Sequence, residues 1–188
     1  MHRSLRSPLF AAAAVLLLAG CSTLGLVGAL LGNSISFTAP QLQQQLDRHF
    51  PRDYDQLGGL LTLSVLHPRL SIPAGSHRLR LDFDVGVGAP GRDSRTPAGH
   101  LAIASGLRFD SGTMGLHLDD PSIESLQLGS GGEALGAGVR TLVDRWLSDY
   151  ARREPVYRFD NSLLQQLQSR RIGATTIDNG QVTVHLDQ

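Results

Sequence analysis

Seven histidines, one cysteine and a glycine-rich turn are the features of this sequence from which chemistry could be built. The histidines are His2, His49, His67, His77, His100, His117 and His185. None forms a His-x-x-x-His pair, which would present two imidazoles to a metal from one helix face. His117-Leu-Asp119-Asp120 offers ligands at alternate positions of a strand. A polar strand face is ordinarily hydrated, so solvated side chains and no metal are expected there. Gly129-Ser-Gly131 lacks the Gly-x-Ser-x-Gly elbow that exposes a nucleophilic serine. The same stretch, Gly129 to Ala134, imitates a phosphate-binding Gly-x-Gly-x-x-Ala. The strands before it alternate as an antiparallel sheet, so its glycines are read as releasing the chain from strand to helix. The expectation is no catalytic, cofactor or metal site. A hydrolase would require a Ser/His/Asp or carboxylate constellation that the sequence does not display.

The chemistry of Cys21 is of another kind. It closes Leu18-Ala19-Gly20-Cys21 after a basic start (His2, Arg3, Arg6) and an apolar run from Leu9 to Leu18, the order of parts in a secretory signal. These four residues resemble a bacterial lipobox. Such a thiol is linked to diacylglycerol, the chain is cut before it, and the new amino end is acylated, with palmitate as the fatty acid expected here. Two or more acyl chains, at about 0.8 kcal/mol per buried methylene, make a stable anchor. An uncleaved helix is the alternative, since residues 9–31 carry no charge and a bilayer span needs about 20 residues. Glycines at 20, 25 and 28 interrupt that run, and Gly32 follows it. Ser22, where an aspartate would signal inner-membrane retention, points to the outer membrane, facing the periplasm. Residues 1–20 are then the signal, 21–33 the lipidated cysteine and an uncharged tether, and 34–188 a single domain.

The 168 residues left after cleavage suit one domain with a real core. Loss of Arg3 and Arg6 leaves 15 basic residues, all arginine, against 17 acidic ones, and this balance gives no reason to expect nucleic acid as a partner. With Cys21 alone, no disulfide and no thiolate-pair metal site can form within the chain.

These side chains must be positioned by a mostly stranded frame. Ser34 to Phe37 reads as a short strand, with Thr38 capping a helix whose Leu42, Leu46 and Phe50 share one face before Pro51 stops it. Arg78 to Val87 alternates strictly, so Leu79, Leu81, Phe83 and Val85 line one face of a half-buried sheet. The alternation recurs through Leu63 and Val65, through Leu101, Ile103 and Leu107, and through Leu116 and Leu118. The period changes after Leu128. Leu135, Val139, Leu142, Val143, Trp146, Leu147 and Tyr150 recur at helical spacing from Gly132 to about Arg153. A short strand at 156–159, a short helix over 161–171 and a hairpin through Asn179-Gly180 close the chain. The class is α+β: a long curved antiparallel sheet wrapped around one long helix, with an N-terminal helix and a short C-terminal one.

The run Ile35 to His49, the stretch Trp146 to Phe159 and the terminal Gly180 to Leu186 together resemble the YceB-like bacterial lipoproteins. That resemblance implies a TULIP-like half-barrel, in which an apolar groove between curved sheet and long helix takes a lipid. The groove residues would be Leu63, Val65, Leu79, Leu81, Phe83, Val85, Leu101, Ile103, Leu107, Leu116, Leu118, Val139, Val143 and Trp146. A plain sealed core would show the same pattern. Arg78, Arg80, Arg152 and Arg153 are either headgroup contacts or outward-facing charges. A non-enzymatic lipoprotein binding a phospholipid or fatty acid is the first expectation. An envelope adaptor that holds a protein partner without lipid is the second.

Overall fold

The computed structural model describes residues 33–56, 60–88, 95–129, 132–166 and 171–187. The signal, Cys21, the tether up to Gly32, the turn at 89–93 and Ser130-Gly131 lie outside the described residues. The elements run β1 (Ser34–Thr38), α1 (Ala39–His49), β2 (Arg52–Gln56), β3 (Leu61–Ser71), β4 (Leu79–Gly88), β5 (Gly99–Asp110) and β6 (Gly115–Leu128). They continue with α2 (Gly132–Arg153), β7 (Tyr157–Arg158), α3 (Asn161–Gln166), β8 (Arg171–Asp178) and β9 (Gln181–Asp187). The class is α+β, and all the strand pairings are antiparallel.

The strands divide between two sheets instead of joining one. β2 to β7 form a six-stranded sheet in chain order, while β1, β9 and β8 form a separate three-stranded sheet. The first strand pairs with the last, Ser34 opposite His185 and Thr38 opposite Gln181. Among the described residues the short helix covers Asn161–Gln166, the expected stretch at 167–170 lies outside them, and Arg171 belongs to β8, whose Ile177 packs into the core. β8 and β9 meet at Asn179 and Gly180, both in the left-handed region (φ 49° and 74°), the turn that matches strand twist.

Local chemistry explains the boundaries. α1 begins where Gln41 Oε1 accepts the Thr38 N–H at 2.8 Å, with Pro40 in the first turn where no amide is needed. It ends as the Phe50 N–H donates to the Leu46 carbonyl before Pro51. Leu42 and Leu46 are buried beneath it.

Two prolines lie inside strands, and both sit at bulges. The β3–β4 register jumps from Leu66 to Arg69 across His67-Pro68, and the β5–β6 register jumps from Gly106–Asp119 to Ala104–Ser122 across Asp120-Pro121. A bulge removes the ladder bond that proline cannot make and bends the strand. His67 and Asp120 both adopt positive φ (46° and 47°). Each bulge is braced. Gln43 of α1 donates to the Pro68 carbonyl (2.8 Å) and accepts the Leu70 N–H (2.6 Å). Arg78 binds the carbonyls of Ala104 and Asp120, and Ser105 Oγ bonds the Asp119 backbone.

Candidate functional site

All fourteen side chains assigned to the groove lie in one buried cluster, none more than 6% exposed. Alternation on β3 to β6 turns eleven of them to one face of the sheet, and Val139, Val143 and Trp146 meet them from α2. The interior is filled by the protein's own side chains. It extends through Ile35 and Phe37 of β1 to Val182, Val184 and Leu186 of β9.

The wall is mostly aliphatic except near the C-terminal half of α2. There Trp146 meets Tyr54 (5.6 Å between ring centres), Tyr150 (5.6 Å) and Phe83 (6.1 Å), and Phe50 lies 5.5 Å from Phe83. Trp146 Nε1 and Tyr54 Oη are buried, yet neither has a hydrogen-bond partner among the described residues. Burial pushes the hydroxyls of Tyr54 and Tyr150 up from their ordinary range, so both are neutral donors at physiological pH. The indole N–H and the Arg52 guanidinium lie near the Tyr54 oxygen and partly oppose that shift, but neither makes a hydrogen bond of normal geometry with it. A buried polar group without a partner costs about 1–3 kcal/mol, so this pair is an expensive feature for a plain core.

Arg52 flanks the pair. Strand alternation puts it on the same face of edge strand β2 as Tyr54, with its guanidinium carbon 5.7 Å from the centre of that ring. It pairs with Glu154, the residue after α2, and both are partly open to solvent. Arg52 and Tyr54 gave no signal as site residues, because Arg52-Asp-Tyr-Asp-Gln56 has a single apolar member and its strand was not expected. The period-two placement of Arg52 and Tyr54 becomes legible only once β2 is known to pair with β3.

Of the two readings of the arginines the outward-facing one fits Arg78, Arg80 and Arg152, and the expectation for His117 is corrected. Arg78 and Arg80 lie on the sheet face away from α2, because Leu79 and Leu81 take the inner face. Arg80 is bound to Asp82 (3.0 Å) and Glu124 (2.8 Å), and Arg78 is engaged with the β6 bulge. Arg152 pairs with Asp149 one turn earlier. On the same outer face, Asp84 accepts from His67 (2.8 Å) and His100 (2.6 Å). His117, expected in solvent, is fully buried. It stands between Leu116 and Leu118 on the opposite face of β6, opposite Arg108, where the end of α2 covers it, and both ring nitrogens are occupied, by the Ala151 carbonyl (3.2 Å) and the Thr113 hydroxyl (2.7 Å).

A concavity of about 520 Å³ opens where β8 approaches β5 and β6, lined by His77, Leu107, Asp119, Thr176 and Ile177 among others. The His77 ring is tied to the Ile177 carbonyl at 3.1 Å. Among the described residues no three His, Cys, Asp or Glu side chains converge as metal ligands, and no helix is long and apolar enough to cross a membrane. Compared with known proteins, the chain matches no family model and no curated sequence.

Proposed function

We propose that this chain is a non-enzymatic envelope lipoprotein of YceB-like type. Acylated Cys21 holds it to the periplasmic face of the outer membrane, and its domain takes a lipid or similar amphiphile between the six-stranded sheet and α2, as a TULIP-like half-barrel does. The observation that carries this reading is the buried, unpartnered donor pair of Trp146 and Tyr54 at one end of an otherwise apolar interior. Aliphatic walls suit an alkyl chain because desolvation needs no directional partner, and the two donors suit its polar end. Since the fourteen wall residues already pack together, the tail is admitted by parting α2 from the sheet, not by filling a void.

The filled interior itself favours a second reading, an anchored adaptor with no cargo that binds a protein partner through its outer faces. Native mass spectrometry of the full chain extracted in mild detergent separates the two. A co-purifying phospholipid or fatty acid near one per chain, beyond the covalent acyl groups, supports the carrier. A mass without cargo that stays unchanged on adding phospholipid or fatty acid overturns it in favour of the adaptor.

A further inference from the structure

Resting on the carrier reading, we infer that the ligand is an anionic amphiphile whose oxyanion head, carboxylate or phosphate, is bound by Trp146 Nε1, Tyr54 Oη and Arg52. The balance of donors and acceptors around this spot supports it. Trp146 offers one N–H and no acceptor, and Tyr54 is held in its protonated, donating form. Both donor atoms are buried and neither makes a hydrogen bond of normal geometry among the described residues, although the indole N–H and the Arg52 guanidinium lie close to the Tyr54 oxygen. Arg52, on the same strand face, adds a permanent positive charge, and the one carboxylate paired with it is Glu154 at the rim. Hydrogen bonds to a charged acceptor are about twice as strong as neutral ones, so an oxyanion answers this excess of donors better than a hydroxyl or an ester. An arriving head competes with Glu154 for Arg52 while its tail enters the aliphatic interior beyond Phe83 and Val143. The site therefore selects for charge as well as for tail.

Trp146 is the only tryptophan in the chain, so labelling with ¹⁵N-tryptophan gives a single indole N–H signal at the site. The full chain in a zwitterionic detergent is titrated with tridecanoate, dodecyl phosphate and dodecanol, which share one dodecyl tail, and total uptake is followed with radiolabelled probes. The expected result is a saturable downfield shift of the indole proton with one or both anions, at about ten-fold lower concentration than with dodecanol. The anion that shifts it more tells carboxylate from phosphate. Arg52→Gln should remove most of the preference. Glu154→Gln should tighten anion binding, a sign that loss of a merely structural ion pair would not give. Equal binding of all three probes overturns the anionic head but leaves the carrier. Uptake with an unmoved indole signal shows that the donors hold a structural water only and overturns the head site. No uptake of any probe overturns both readings.

Discussion

His117 shows how one side chain sets a pH limit on this protein. A neutral ring satisfies both contacts when Nδ1–H donates to the Ala151 carbonyl and Nε2 accepts from the Thr113 hydroxyl. Burial lowers its pKa from 6.5, opposed by the bond to Ala151 and reinforced by the Arg108 charge. The unfolded chain therefore takes up a proton below about pH 6.5 that the folded chain refuses. Stability conferred by the neutral ring is complete above that pH and declines as pH falls towards the lower, folded value. For one proton the slope cannot exceed about 1.4 kcal/mol per pH unit. Urea unfolding at pH 7.5 and 5.5 should show a smaller acid loss in His117→Gln than in the native chain, although the variant is less stable at both. An identical acid loss would place the sensitivity elsewhere. The charge on Asp110 is favoured by the Thr113 N–H, which lowers its pKa and keeps this end of the β5–β6 hairpin ionised.

At the scale of elements, the prolines inside β3 and β6 matter because each strand continues only where a neighbour supplies what the bulge leaves open. Gln43→Ala would strand the Pro68 carbonyl and the Leu70 N–H, at a cost of about 1–3 kcal/mol. A lower urea midpoint with an unchanged slope is the expected readout, and an unchanged midpoint would mean that water replaces the amide. Strand faces were legible in the sequence wherever one side is apolar and the other polar, as in Leu79 to Val85, because burial enforces a period of two. β2 was not legible, because edge strands bury little. The reach of β6 past Pro121 was hidden too, since proline reads as a stop until a bulge is known to accommodate it. The burial of His117 and the placing of Tyr54 and Arg52 depend on partners far along the chain, and no local pattern encodes them.

For the whole molecule, the partition into two sheets also lay beyond sequence reading, because alternation fixes which face is buried but not which strand lies beside which. What the fold leaves to the N-terminal region is location. If Cys21 carries the anchor, labelled palmitate should enter the native chain and not Cys21→Ser, and that variant should keep the mass of its uncleaved signal. A native chain that takes up no label and keeps its uncleaved mass would point instead to a spanning helix.

The pairing of β1 with β9 joins positions 147 residues apart, as in the contact between the hydroxyls of Ser36 and Thr183. A loop of that length is among the last to close, since its entropy must be paid before the ladder returns anything. The domain is thus fastened at its two ends like a clasp. Until β9 has been made and brought beside β1, the first strand has no partner and the three-stranded sheet cannot exist. Folding of this protein is in that sense a checkpoint on delivery of the whole chain: a molecule stalled or clipped before Gln181 keeps its leading strand open, its edge exposed to proteases and to other unpaired strands.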